Sequence, residues 1–183
     1  FIYPDSITTG IEINSTCTLT NLCVIDSFYN TTWQSMLKVQ QGDPVIEKNL
    51  FRLNWLASQG PMGMYLIHFQ SGTKPEFINN SLVYDFSVSD FFVEALWFDD
   101  NSIPVIKNNI FYSKYLFTNS NGIGSSTDTS YEIKNNCIYN FSESQYDNLP
   151  DLDGVDGNMF ADPLFENSSN GNYHLIWNSP CID

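Results

Sequence analysis

Pro104-Val-Ile-Lys-Asn-Asn109-Ile-Phe repeats the pattern of Pro44-Val-Ile-Glu-Lys-Asn49-Leu-Phe, and asparagines stand in similar apolar settings at Asn21, Asn80 and Asn136. The five are spaced 28, 31, 29 and 27 residues apart. At such a period each unit is one coil of a solenoid and cannot bury its apolar face alone. Aligned on the asparagine, two columns stay largely apolar. Three residues before it stand Thr18, Ile46, Phe77, Ile106 and Ile133; two residues after it stand Cys23, Phe51, Leu82, Phe111 and Ile138. The column between, Leu19, Glu47, Ile78, Lys107 and Lys134, is mixed. A one-residue offset between apolar and mixed columns is strand alternation. No segment carries a sustained 3.6-residue apolar stripe, which excludes helices as the repeating element.

Nearly thirty residues are too many for one strand and a turn. The second strand of each coil is Met36-Leu-Lys-Val39, Tyr65-Leu-Ile-His-Phe69 or Ala95-Leu-Trp-Phe98, followed by a polar or glycine turn and then Pro44, Pro75 or Pro104. The pattern predicts an all-β fold, a right-handed parallel β-helix in which like residues stack at about 4.8 Å per coil. Asn21, Asn49, Asn80, Asn109 and Asn136 are predicted to form a ladder at a tight bend. There the short side chain tolerates left-handed φ and its amide bonds the coils above and below. Residues 1–183 are read as one domain, with 1–16 the first coil or edge, 17–146 the repeats and 147–183 the terminal coils.

The last residues carry a separate signal: Gly157-Asn-Met-Phe-Ala-Asp162-Pro163-Leu-Phe165, then Gly171-Asn-Tyr-His174-Leu175, then Ser179-Pro180-Cys181-Ile182-Asp183. This series resembles the C-terminal end of secreted bacterial right-handed parallel β-helix proteins, including those labelled choice-of-anchor Q domain proteins. The resemblance is close over 157–183 and loose over the repeats. It implies a bacterial, exported, extracellular or cell-surface protein. Relatives of that kind continue with Ala-Gly after the aspartate, which implies a downstream anchor beyond Asp183. The start at Phe1, without a leader pattern, likewise reads as the C-terminal part of a longer protein. A first coil with unpaired strand groups should be covered by residues 1–9 or should contact a second copy of the chain, as in a self-assembling filament.

Composition narrows the function. A net charge of −14 with seven Lys and Arg excludes the basic footprint that nucleic acid requires, and no apolar run reaches membrane-spanning length. Cys23 and Cys137 lie four coils apart, roughly 19 Å along the axis, beyond disulfide reach. Cys17 and Cys23 are assigned small apolar duty in the core. Sequons begin at Asn14, Asn30, Asn79, Asn140 and Asn167, as abundant Asn, Ser and Thr would produce without any glycosylation.

Lys38, His68 and Trp97 fall on equivalent outward positions, with Asp99, Gln40 and Gln70 nearby. An aromatic and polar strip of this kind can stack on and hydrogen-bond a polysaccharide. Catalysis fits less well, and no catalytic residue is assigned. A hydrolase needs carboxylates about 5–9 Å apart, whereas adjacent Asp99 and Asp100 should point to opposite faces. A lyase needs a cation near the substrate carboxylate, and Arg52, the sole arginine, lies on another strand. Asp151, Asp153 and Asp156, around Gly154, are hard oxygen ligands suited to calcium; the competing reading is a solvated acidic loop. The sequence therefore points to a structural, adhesive or carbohydrate-binding module. The alternatives are a polysaccharide lyase or hydrolase working on the outer sheet face, and the self-assembling subunit.

Overall fold

Each asparagine-centred repeat folds into short strands that pair with their counterparts one coil away. The computed structural model describes residues 9–28, 34–56, 63–85, 92–116, 119–127, 130–142 and 144–182. Successive coils run β1 (Thr9–Ile13), β2 (Thr18–Thr20) and β3 (Cys23–Phe28); β4 (Gln34–Val39), β5 (Val45–Glu47) and β6 (Leu50–Leu56); and β7 (Gly63–Phe69), β8 (Glu76–Ile78) and β9 (Ser81–Tyr84). They continue with β10 (Phe92–Phe98), β11 (Val105–Lys107) and β12 (Ile110–Ser113), then β13 (Ser120–Ser125), β14 (Glu132–Lys134) and β15 (Cys137–Tyr139). The last coil has β16 (Ser144–Asp147) and β17 (Met159–Phe160), with the acidic loop between them. The first strands of the coils form sheet A, the second sheet B and the third sheet C, of six, five and six strands. All pairings within these sheets are parallel. The fold is a parallel β-solenoid, as the period predicts.

The asparagine ladder lies at the bend between sheets B and C. Asn80 illustrates the unit. Its backbone N–H and its Nδ2 both donate to Asn109 Oδ1, at 2.8 and 3.2 Å, and Nδ2 also donates to the Ile46 carbonyl at 2.8 Å. Its own Oδ1 accepts from the backbone N–H and Nδ2 of Asn49, each at 3.0 Å. Asn109 and Asn136 repeat the arrangement. Each such side chain has two acceptor sites and two N–H donors, all used, so burial leaves nothing unsatisfied.

Four details differ from the sequence reading. Asn21 is not in the ladder: the first coil is displaced by one residue, so that Leu22 stands beside Asn49 and gives its backbone N–H to Asn49 Oδ1 at 2.9 Å. The same displacement puts Leu19 rather than Thr18 opposite Ile46, and Val24 rather than Cys23 opposite Phe51. Cys17 and Cys23 are consequently exposed instead of core residues. At the other end the ladder continues to Asn158, whose Oδ1 accepts from Asn136 at 3.0 Å. The left-handed φ also belongs to the preceding residue: Asn21, Lys48, Asn79, Asn108 and Asn135 have φ between 54 and 57°, and Gly157, before Asn158, has φ 77°. One residue makes the bend, and the next ties it to the neighbouring coil.

Inside, like stacks on like. Ile46, Phe77, Ile106 and Ile133 form one column, and Phe51, Leu82, Phe111 and Ile138 another. These side chains are almost wholly buried, each contributing about 1.5–3 kcal/mol. Their burial comes largely from the coils above and below. Sheet A supplies a third column, Leu37, Ile67, Leu96 and Ile123.

After β17 the chain leaves the coil path. β18 (Phe165–Asn167) and β19 (Asn172–Leu175) form an antiparallel hairpin against the outside of sheet C. Phe165 packs edge-on to Tyr112, ring centroids 5.1 Å apart, and Tyr173 lies under the Arg52 guanidinium, 5.3 Å from ring centroid to Cζ. Arg52 and Lys114 both pair with Asp85, whose carboxylate also accepts from Tyr173 Oη at 3.1 Å. Burial would raise the Asp85 carboxyl, but these hydrogen bonds outweigh it and hold the group below the usual range. On β15 the Cys137 thiol donates to the Ala161 carbonyl at 3.1 Å and also meets Cys181 of the tail. The expectation that residues 1–9 cover the first coil falls largely on residues 1–8, outside the described residues.

The displaced first coil yields a paired prediction. Asn109→Leu removes four ladder hydrogen bonds and strands buried donors and acceptors at about 1–3 kcal/mol each, so denaturant melts should show a loss of at least that size. Asn21→Gly, which keeps the left-handed bend without a ladder role, should change stability by less than about 0.5 kcal/mol. Equal losses from both would refute the division of labour.

Candidate functional site on the outer face of sheet A

Strict alternation along β7 would send Tyr65 and His68, three residues apart, to opposite faces. Instead, β4, β7 and β10 depart from alternation, so that successive residues are both buried: Met36 and Leu37, Leu66 and Ile67, Ala95 and Leu96. The departure brings Tyr65 and His68 onto one face, ring centroids 5.0 Å apart. It does the same for Glu94 and Trp97: both Glu94 Oε1 and the Trp97 indole lie against Gly124.

Two rows of side chains result. Lys38, His68, Trp97, Gly124 and Asp147 occupy one register column. Ser35, Tyr65, Glu94 and Asn121 occupy the other. Of the sequence candidates, Lys38, His68 and Trp97 share a column, and Asp99 joins them: its Oδ1 contacts His68 Nε2 at 3.0 Å and accepts from Trp97 Nε1 at 3.1 Å. Burial would raise the Asp99 carboxyl, but the His68 and Trp97 hydrogen bonds, with the Lys38 charge, bring it below the ordinary value. Asp100 turns away and accepts from Ser126 and Thr127. Tyr65 stacks on Trp97 at 5.3 Å with an interplanar angle of 14°.

Sequence reasoning missed Glu94, Asn121 and Gly124 and did not bring Asp147 to this face. Glu94 is 0% exposed, in the middle of an apolar strand. Its Oε1 is 3.4 Å from Asn121 Nδ2, while Glu94 Oε2 and Asn121 Oδ1 meet no donor. The Asp147 carboxyl is within hydrogen-bonding reach of Glu94; two carboxyls bond each other only with a proton between them. Burial, then the contact with Asp147 and its charge, push the Glu94 carboxyl from 4.5 up to about 9. Burial and the charges of Glu94, Asp99 and Asp147 likewise push the Tyr65 phenol up. Gly124 makes this packing possible, because a Cβ there would lie 2.8 Å from Trp97 Cε3 and 3.0 Å from Glu94 Oε1.

The arrangement limits the chemistry. Glu94, the carboxyl that Asp147 influences, is 0% exposed and does not reach solvent. Arg52 is on sheet C, engaged by Asp85 and Tyr173. In the acidic loop Asp151 Oδ1 accepts from the Asp153 N–H and Asp153 Oδ1 from the Phe160 N–H, while Asp156 has a left-handed φ of 50°. Among the described residues no three His, Cys, Asp or Glu side chains converge to hold a metal ion, and no helix is long and apolar enough to cross a membrane. No protein-family model, curated protein or solved structure matches this chain.

The Glu94 shift carries a pH signature of definite sign. In the unfolded chain the carboxyl ionises near 4.5, but in the folded protein it keeps its proton to about 9. Between those values folding takes up a proton, so this contribution is complete below 4.5 and is lost as pH rises through 9. Denaturant melts in chelator-containing buffer should show wild-type stability falling from pH 5 to 9 relative to Glu94→Gln, with a limiting slope of about 1.4 kcal/mol per pH unit. Parallel curves for the two proteins would contradict the buried, protonated assignment.

Proposed function

We propose that this chain is an extracellular or cell-surface β-helix module that binds a neutral saccharide on the outer face of sheet A. The observation that carries the reading is the half-exposed Tyr65–Trp97 pair beside the His68–Asp99 hydrogen bond and Lys38. Aromatic rings meet the apolar faces of sugars, and fixed donors and acceptors beside them meet hydroxyls. The regular coil spacing suits a chain-like ligand lying along the face. Carboxylates at Asp99 and Asp147, with a net charge of −14, disfavour uronate polymers. A structural or adhesive role follows if the saccharide belongs to a surface.

A fluorescence titration and glycan array with neutral oligosaccharides test the proposal. Binding should be saturable, weakened about tenfold or more by Trp97→Ala and less by Lys38→Ala, with no new reducing or unsaturated ends. Turnover abolished by His68→Ala would instead favour the polysaccharide lyase or hydrolase reading. Absence of binding across neutral glycans would refute the saccharide site.

A further inference from the structure

One carboxylate oxygen ties side chains of two neighbouring coils together on the outer face of sheet A. Asp99 Oδ1 is 3.0 Å from His68 Nε2, on β7, and accepts from Trp97 Nε1, on β10, at 3.1 Å. The aspartate is itself firmly based. It follows the fully buried Phe98 and gives its backbone N–H to the Phe69 carbonyl at 2.9 Å. It also opens a turn, closed by the Ser102 N–H on the Asp99 carbonyl at 3.1 Å. Stacking on Tyr65 sets the tilt of the Trp97 ring, and the bond to Asp99 fixes which way its N–H points.

The same contacts decide what the face can offer a ligand. Despite burial, the His68 and Trp97 hydrogen bonds hold the Asp99 carboxyl below its ordinary value, so at neutral pH the group is ionised and can only accept. His68 Nε2 must therefore carry the proton in that contact, and in the neutral ring Nδ1 is left as an acceptor. Asp99 Oδ2 and His68 Nδ1 bond no described residue, and neither is shut away from water. The Trp97 N–H and the His68 Nε2–H are thus engaged within the protein, while the atoms left open are acceptors.

We propose that Asp99 is the positioning and specificity-determining residue of the saccharide site: Oδ1 orients Trp97 and His68, while Oδ2 and His68 Nδ1 select free hydroxyl groups on the ligand. A hydroxyl satisfies an acceptor by donating its O–H. An ether, ester or sulfate oxygen at the same place has no hydrogen to give. A site built to hydrogen-bond a hydroxyl rejects an analogue lacking it more strongly than apolar packing can, because its own polar groups are left unpaired. The ligand class is a neutral glycan whose hydroxyls along the bound edge are unsubstituted. The recognition role rests on the saccharide reading; the positioning role belongs to the free protein and is measured without a ligand.

Two substitutions separate these roles. In Asp99→Asn the amide oxygen takes the place of Oδ1, but the outward acceptor becomes an N–H donor; Asp99→Ala removes both. In proton–nitrogen NMR spectra of the unliganded protein, wild type and Asp99→Asn should show a water-protected Trp97 indole N–H and a His68 ring protonated on Nε2. Asp99→Ala should lose both signatures. Titrations then use cellohexaose, xylohexaose and mannohexaose. A hexaose that binds wild type should bind Asp99→Asn at least about tenfold more weakly, as expected for losing a hydrogen bond to a charged acceptor, and its per-O-methylated form should not bind. Retention of both NMR signatures in Asp99→Ala would overturn the positioning role alone. Undiminished binding by Asp99→Asn, or of the methylated hexaose, would overturn the recognition role alone. Failure of all three hexaoses to bind wild type would overturn the recognition role together with the saccharide reading, whatever the NMR spectra show.

Discussion

A buried primary amide is tolerable only when both its donors and both its acceptor sites are used, and this protein uses that requirement to join its coils. Each ladder asparagine in mid-stack makes bonds to a backbone carbonyl of the preceding coil and to the asparagine of the next. The ladder thereby fixes the rotational phase of one coil on another. Register in sheets B and C follows, and with it the apolar columns. A slip of one residue would turn those columns outward. The first coil is the informative exception: Leu22 offers only a backbone N–H to Asn49, and there the repeat is displaced from its sequence alignment.

The fold was legible because stacking demands the same residue type at the same place in every coil, and the strands and prolines recur on the asparagine period. The ends were less legible. Asn21 matches the ladder residue by type and spacing, yet aspartates and asparagines also suit the left-handed bend one position earlier, and sequence cannot separate two roles open to one side chain. Asn158 was hidden by the shortening of the last coil, which replaces a sheet B strand with the acidic loop.

The outer face was half legible for a related reason. Lys38, His68 and Trp97 were recoverable since they follow the column arithmetic. Tyr65 and Glu94 were not, because β4, β7 and β10 each bury two successive residues, which defeats simple alternation. A Glu between Val93 and Ala95 in an otherwise apolar strand was the available signal; its meaning depended on Gly124 and Asp147, far away in sequence and adjacent in space. The aspartates of the 151–156 loop looked like a cation site by proximity in the chain; in the fold one oxygen each of Asp151 and Asp153 accepts a nearby backbone N–H.

Two consequences of one architecture are thus visible. The interior enforces repetition, while the outer face of sheet A is free to vary from coil to coil and can assemble dissimilar side chains at a spacing of about 4.8 Å. Whatever the face binds, its geometry is inherited from the ladder. Native-state hydrogen exchange by NMR tests that dependence most directly. The account predicts that the backbone amides of Asn49, Asn80, Asn109 and Asn136, each donated to the next asparagine, exchange only through global unfolding, among the slowest in the protein. Exchange of these amides at the rate of exposed loop amides, with sheet A protected, would contradict it.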